Sequence, residues 1–204
     1  MAFARDPATA RYYERRAGEY DEWYAGTGLF ASRDRPGWDD AVDALVATVE
    51  GLAPARTLDV ACGSGFLTRH LRGSVVGVDQ SPSMVALTRS VLAGGTVLVG
   101  DALALPFGSG AFDRVLTAHF YGHLAPDERA DFRREARRVA PELVVVDSAL
   151  RPGVAAEQWQ ERVLNDGSRH RVYKRYLTAD GLAAEIEGEV LLDTTWFVAA
   201  RTAG

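Results

Sequence analysis

The stretch TLDVACGSGFLTRHL, residues 57–71, contains the residues that decide the fold. Strand-forming residues around Leu58 and Val60 lead into two glycines, Gly63 and Gly65, and then into a short amphipathic segment. This order is typical of a chain that turns from a buried strand into a helix whose N-terminus is open to a ligand. We therefore predict a strand, a glycine turn, a helix and a ligand site at the turn.

The length and composition of the chain predict a single domain. The chain has 204 residues, of which 47% are hydrophobic. This is enough for one sizeable hydrophobic core, but the chain is too short for two domains of typical size. We predict one domain over residues 1–204. The net charge is −5 and the basic residues are scattered, so neither nucleic acid nor an anionic membrane surface is an expected partner.

Several sequence signals indicate a cytoplasmic location. The N-terminal residues lack the apolar core of a signal peptide, and no run approaches the roughly 20 apolar residues of a spanning helix. The single cysteine, Cys62, leaves no internal disulfide, which suits a reducing compartment. No histidine or cysteine pair has the spacing of a metal site, so we predict no metal.

Apolar runs alternate with helix-like segments along most of the chain. The strand-like runs occupy residues 57–61, 74–79, 95–101, 112–120 and 142–149, with a closing antiparallel pair at 189–195 and 196–201. Helical periodicity falls between them at 42–52, 82–88, 126–139 and 178–186. This order predicts an α/β fold of the Rossmann-like kind, a mostly parallel sheet with helices on both faces. Ligands of such sheets bind at the carboxyl ends of the strands.

Three aspartates stand in or just after the first three predicted strands, namely Asp59, Asp79 and Asp101. Asp79 lies 20 positions after Asp59, where an acid can accept hydrogen bonds from both hydroxyls of a ribose. The alternative is that each aspartate only ends a strand or caps the next helix. A dinucleotide site would need a third glycine where this chain has Thr68, so a nicotinamide or flavin dinucleotide is disfavoured.

Taken in order, four motifs give the sequence a family resemblance. The chain resembles the class I S-adenosylmethionine (SAM)-dependent methyltransferases, and it is most similar to the small-molecule group that includes quinone-biosynthesis methyltransferases. The motifs are YYERRAGEYDEWY (12–24), LDVACGSG (58–65), VVGVDQSPSM (75–84) and VGDALALPFGSGAFDRV (99–115).

The resemblance implies SAM as cofactor, S-adenosylhomocysteine (SAH) as product, and a set of cofactor-binding residues. In relatives the glycine loop holds the methionine moiety, the second motif surrounds the ribose, and the third contacts the adenine edge. Ala61 stands where the family usually has glycine, and the later glycines are kept. The implied cofactor-binding residues are Tyr20, Ala61, Gly63, Asp79, Gln80, Met84, Asp101 and Ala102.

The N-terminal residues 1–38 are predicted to form a helical lid over cofactor and acceptor. This segment is rich in aromatic residues, and the cationic sulfonium of SAM favours aromatic faces and oxygen atoms. Tyr20 is the preferred cofactor contact. The alternative is that these aromatic side chains simply pack against the sheet.

His119 is the candidate catalytic residue, because it follows the end of the fourth predicted strand. A histidine there could deprotonate a hydroxyl or an acidic carbon. Alternatively, it packs on the adenine or holds a loop. Methyl transfer mainly requires alignment, so a base is not obligatory, and the sequence leaves open whether O, N or C is methylated.

The cluster RHRVYKRY, residues 169–176, is both basic and aromatic. It could bind an anionic substrate group, although its alternation also suits a solvated edge strand. The sequence therefore predicts a SAM-dependent methyltransferase with a small-molecule acceptor. Two other functions stay open, a SAM-binding protein without turnover and a nucleotide-dependent oxidoreductase. The oligomeric state does not follow from the sequence.

Overall fold

The computed structural model describes residues 5–92 and 94–202. The proposed lid at 1–38 is described from residue 5 onward, so its first four residues lie outside the described part. The described helices are α1 (Pro7–Arg16), α2 (Glu22–Ala25), α3 (Trp38–Gly51), α4 (Pro82–Val91), α5 (Pro126–Val139) and α6 (Ala179–Ile186). The strands are β1 (Ala55–Val60), β2 (Gly73–Asp79), β3 (Thr96–Val99), β4 (Arg114–Ala118), β5 (Glu142–Ser148), β6 (Glu157–Val163), β7 (Arg169–Arg175), β8 (Gly188–Asp193) and β9 (Phe197–Thr202).

Seven strands form one sheet in the order β3-β2-β1-β4-β5-β9-β8. The first five are parallel to one another, and β9 pairs antiparallel with both β5 and β8. The α/β class, the mostly parallel sheet and the closing antiparallel pair are therefore confirmed. The strand order reverses at β1, and the carboxyl ends of β1 and β4 adjoin there, which is where ligands bind in open α/β sheets.

Helices cover both faces of the sheet. On one face, α3 packs Leu45 and Val49 into a cluster with residues of β4, β5 and β9. On the other face, Phe132 of α5 and Leu182 and Ile186 of α6 form the larger core with β1, β4 and β5. The central strands β1, β4, β5 and β9 are mostly apolar because helices bury both of their faces.

The structure corrects the prediction of a helix after the glycine loop. The loop is followed only by a single 3-10 turn at Thr68–His70. Ala61, Gly63 and Gly65 all have positive φ values, a conformation that an α-helix cannot continue. Few residues then remain before β2 begins at Gly73, so the chain crosses from β1 to β2 without an α-helix.

The predicted starts of α4, α5 and α6 are confirmed, whereas α3 begins at Trp38, before the predicted residue 42. Ser81 caps α4 by accepting a hydrogen bond from the Met84 amide, and Pro82 occupies the first turn. Thr178 caps α6 in the same way through the Gly181 amide. In residues 5–92 and 94–202, no helix is long and apolar enough to cross a membrane.

A two-stranded antiparallel sheet, β6 with β7, stands apart from the main sheet. Residues 169–175 of the basic cluster form a strand, as one alternative held, but Val172 to Lys174 in its second half are buried. Val172 and Lys174 are covered, while Arg169 and Arg171 are exposed. The partner strand β6 was not predicted. Its signals were the polar and apolar alternation of EQWQERV and the Asn-Asp-Gly turn at residues 165–167.

Candidate active site

A cavity of about 380 Å³ lies at the carboxyl ends of β1 to β4. This volume falls in the range of small-molecule sites. Every residue that the sequence singled out for cofactor binding or catalysis lines it, although the residues come from five separate segments. They are Tyr20, Ala61, Gly63, Asp79, Gln80, Met84, Asp101, Ala102 and His119.

The glycine loop is fixed by side chains from its neighbours. The Gly63 amide donates to Oδ2 of Asp79 at 2.9 Å, and the Gly63 carbonyl accepts from the Thr88 hydroxyl at 2.7 Å. Ala61 keeps the left-handed conformation, with φ of 58°, where relatives usually place glycine. A side chain in that conformation costs about 1–2 kcal/mol, so the loop geometry is maintained against backbone strain.

Asp79 ends β2 and is only 7% exposed. Burial raises the pKa of the Asp79 carboxyl, while hydrogen bonds from the Ser81 and Gly63 amides oppose that rise. Each carboxylate oxygen accepts one backbone amide, which leaves lone pairs free toward the cavity. An acceptor-rich group held this rigidly suits two neighbouring hydroxyl donors.

The other predicted contacts differ in exposure. Met84 is fully buried beneath the cavity, whereas Gln80 is exposed at its mouth. The Asp101 carboxylate accepts from the Leu103 amide at 2.8 Å and forms an ion pair with Arg5, also at 2.8 Å. Arg5 thereby connects the N-terminal segment to the proposed adenine end of the cavity.

Asp59 does not join the other two aspartates in the cavity. Its carboxylate lies behind the glycine loop and accepts a hydrogen bond from the Thr68 hydroxyl at 2.6 Å. Burial raises the pKa of Asp59 to about 7. Thr68, which replaces the third glycine of a dinucleotide motif, therefore stabilises a buried acid of the sheet.

The N-terminal segment covers the cavity from above. The hydroxyl of Ser81 and that of Ser83 each donate to the Glu14 carboxylate at 2.5 Å. These hydrogen bonds attach α1 to the start of α4. The Tyr20 ring lies against the glycine loop, and a Cβ on Gly63 would stand 3.7 Å from it. Burial raises the pKa of Tyr20 to about 12, so its phenol stays neutral.

His119 lies between two cavities and has a left-handed backbone, with φ of 56°. Three aromatic rings surround the imidazole, with ring centroids 4.8 to 5.8 Å from its own. They belong to Trp23, Tyr24 and Phe197. Both ring nitrogens are buried and lack a hydrogen-bond partner among the described residues. Burial lowers the pKa of His119 to about 4, so the imidazole is neutral at physiological pH.

A second histidine, His123, also lines both cavities. One ring nitrogen, Nδ1, bonds the Tyr173 carbonyl, which can only accept, so Nδ1 carries the proton. Nε2 consequently accepts from the Tyr13 hydroxyl at 3.1 Å. Burial lowers the pKa of His123 well below its usual value.

The second cavity has a volume of about 740 Å³ and a polar lining. It shares Tyr13, Tyr20, His119 and His123 with the first cavity, so these four side chains form a common wall. The hairpin β6–β7 and the segment from Arg33 to Trp38 close its other sides. Sequence reasoning missed this cavity because its walls come from distant parts of the chain.

A buried ion pair supports the floor of the second cavity. The Lys174 ammonium contacts Asp147 at the end of β5, and both side chains are almost completely buried. The Gly122 amide also donates to Asp147 at 2.7 Å. Burial would raise the pKa of Asp147, but the attraction and hydrogen bond of Lys174, together with the electrostatic influence of His119 and His123, lower it overall. The described residues contain no group of three potential metal ligands.

Comparison with known proteins agrees with this geometry. Residues 58–142 match the family described as a methyltransferase domain. A demethylmenaquinone methyltransferase of Thermus thermophilus is 40% identical over 87 residues, which cover 38% of this chain and 40% of that protein. The chain spans less than half the length of the curated relatives of this kind that it matches.

Two solved structures cover nearly the whole chain. One, a DhpI–SAH complex, is 25% identical with a TM-score of 0.71 and covers 95% of this chain and 94% of that one. The other, a DhpI–SAM–HEP complex, is 24% identical with a TM-score of 0.75 and covers 97% and 96%. Sheet order, glycine loop and strand-end carboxylates define a Rossmann-like methyltransferase fold. Residues 58–142 match a methyltransferase domain, which agrees with the resemblance to class I SAM-dependent methyltransferases.

Proposed function

We propose that this protein transfers a methyl group from SAM to an O, N or C atom of a small-molecule acceptor. The observation that carries the proposal is the pair of cavities that meet at one wall of Tyr13, Tyr20, His119 and His123. One cavity contains the residues expected to hold the cofactor, and the other is large enough for an acceptor. Transfer requires the two ligands to meet in line across that wall.

The cofactor cavity fits SAM by the chemistry of its donors and acceptors. Asp79 would accept from the ribose hydroxyls, the backbone of Ala61 and Gly63 would hold the methionine moiety, and Gln80 and Met84 would surround the ribose and adenine. Asp101 and Ala102 would contact the adenine edge. When bound, SAM supplies a methyl group that is already activated by its sulfonium.

The protein then contributes binding, alignment and the exclusion of water. The N-terminal segment, attached through Glu14, acts as the lid, and the Tyr20 ring lies where a sulfonium would be favoured. In the common wall, His119 is the histidine whose two ring nitrogens make no hydrogen bond with the described residues. One of them would therefore accept a proton from a hydroxyl or carbon acceptor. The lone, buried Cys62 is consistent with a cytoplasmic location.

Calorimetry with Asp79→Asn tests the cofactor assignment. The substitution keeps the shape of the side chain but removes the charge that would accept two hydroxyls, so SAM affinity should fall tenfold or more. Asp113→Asn is the matched control, because Asp113 lies at the opposite edge of the sheet and pairs with Arg56. Equal SAM affinity in the folded Asp79→Asn variant and the parent would remove Asp79 from the site.

A turnover assay separates the three functions that the sequence left open. SAH release with one member of an acceptor panel supports the transferase. SAM binding without SAH release across the panel would favour a binding protein, and binding of a nicotinamide dinucleotide without SAM binding would favour an oxidoreductase.

A further inference from the structure

The second cavity is basic although the protein is acidic. The chain has a net charge of −5, yet six basic and two acidic residues line this cavity. The acidic ones are Asp34 and Glu161. Glu161 is occupied by an ion pair with Arg169 outside the cavity, and Asp34 is exposed at the rim. The basic ones are Arg16, Arg33, Arg35, Arg151, Arg162 and Lys174.

Five of these six cations have no carboxylate partner. Among these six residues, only Lys174 forms an ion pair with a carboxylate in the described ranges 5–92 and 94–202. Its partner is Asp147, below the cavity floor. The arginines are held by aromatic rings and carbonyls instead. Arg33 lies 4.6 Å from the Phe30 ring centroid, and Arg151 lies 4.2 Å from that of Trp196. Such contacts orient a guanidinium and leave its charge uncompensated.

Arg16, Arg33 and Arg162 line the same cavity, and the charges of Arg16 and Arg162 act on the Arg33 guanidinium. Burial lowers the pKa of Arg33, and the charges of Arg162 and Arg16 lower it further. The Nε atom of Arg162 is buried and has no hydrogen-bond partner among the described residues. A buried donor without a partner costs free energy, and so does a cluster of like charges. A bound anion would relieve both.

We propose that the second cavity binds the acceptor through an oxyanion group that Arg33 and Arg162 recognise, with Arg16 adding to the field. This assignment rests on the proposed function and specifies the substrate class. The planar guanidinium fork matches carboxylate and phosphoryl oxygens, and it binds both by the same paired hydrogen bonds. The reacting atom of the acceptor would then lie at the common wall with His119, while its anionic group lies among the arginines.

The direct test measures the binding of small oxyanions to the SAH-saturated protein by calorimetry. Inorganic phosphate and acetate are titrated separately at constant ionic strength set with sodium chloride. Phosphate or acetate should bind saturably, and the tighter of the two identifies a phosphoryl or a carboxylate acceptor. Arg33→Gln and Arg162→Gln should each weaken that binding tenfold or more, because each removes a charged donor pair.

Arg171→Gln is the matched control on the same hairpin. Arg171 lies over the Trp159 ring and does not line the cavity, so its removal should leave anion affinity unchanged. Without anion, Arg162→Gln should melt at or above the temperature of the parent, because like-charge repulsion is removed. A merely structural role of Arg162 would give a lower melting temperature.

The proposal fails if neither anion binds more tightly than chloride, or if Arg162→Gln binds phosphate and acetate like the parent. SAM affinity is measured for the same variants to keep the two proposals distinct. If the parent does not bind SAM, the proposed function is overturned. If the parent binds SAM but neither oxyanion, only this inference is overturned.

Discussion

The two cavities on either side of His119 are built in different ways. The walls of the cofactor cavity come mainly from short loops that directly follow β1, β2, β3 and β4, and adjacent parallel strands bring these loops together. The walls of the second cavity come from residues 16–38, the hairpin β6–β7 and Trp196. The first cavity is therefore specified by local sequence motifs. The second cavity depends on contacts between segments far apart in sequence.

The difference extends to how each cavity holds its buried charge. Asp79 on the cofactor side is stabilised by backbone amides of its own loops, Gly63 and Ser81. Asp147 on the acceptor side depends on Lys174, which is 27 positions away and belongs to a separate sheet. Removing the side chain that stabilises the buried carboxylate should therefore lower folding stability on the acceptor side, where that partner is Lys174.

The largest expected effect is on Lys174. Lys174→Met leaves Asp147 as a buried carboxylate without its counter-charge, which should lower the free energy of unfolding by about 3–5 kcal/mol. Chemical denaturation at pH 7 measures the loss. The double variant Lys174→Met with Asp147→Asn removes the buried charge and should recover part of it. Equal losses in the single and double variants would show that the ion pair is not the cause.

The next effect concerns His119, which belongs to both cavities. Its folded pKa of about 4 lies below the value of about 6.5 for an exposed histidine, so the unfolded chain takes up a proton first as the pH falls. The stability contributed by neutral His119 is therefore complete above pH 6.5 and decreases toward pH 4. Between pH 7 and pH 5 the parent should lose about 2 kcal/mol more than His119→Asn in denaturant unfolding.

The same low pKa makes a prediction for catalysis. The kcat of the parent should show no ionisation of His119 between pH 6 and pH 8. A rate that rises through pH 6.5 in the parent, and not in His119→Asn, would contradict the buried neutral state of this residue.

A smaller effect should distinguish the two attachments of the N-terminal segment. Glu14 connects it to Ser81 and Ser83 beside the cofactor cavity, whereas Glu19 accepts from the Asn165 amide on the hairpin. If the segment is a lid, Glu14→Gln should speed SAM dissociation about fivefold in stopped-flow measurements. This factor corresponds to the free energy of about one hydrogen bond. Glu19→Gln should leave that rate unchanged, and equal rates in both variants would argue against a lid attached at Glu14.

The smallest effect is expected at Ala61. Ala61→Gly relieves a left-handed alanine, so the free energy of unfolding should rise by about 1 kcal/mol or less. Ala44→Gly, in the interior of α3, should lower it by a similar amount. Destabilisation by both substitutions, measured by denaturant unfolding, would show that the Ala61 conformation carries no strain.

Sequence patterns were sufficient for the main sheet and its helices. Period-two and period-3.6 patterns identified β1 to β5, the closing pair β8–β9 and helices α3 to α6, because all of these elements except β8 bury apolar residues. They failed at the connection after β1, where glycine and alanine in left-handed conformations replace the helix. They also missed β6, whose polar residues form a cavity wall rather than a core.

Chain order alone brings the strand-end loops of a parallel sheet together, so the sequence could place Ala61, Gly63, Asp79 and Asp101 beside one cavity. Their proposed roles, and the choice of Tyr20 in the N-terminal segment, came from the family resemblance. Only the tertiary structure decided the acceptor side. The charge state of His119, the ion pair of Lys174 with Asp147 and the placement of Arg33 and Arg162 on one cavity depend on burial and on long-range packing, which no local pattern specifies.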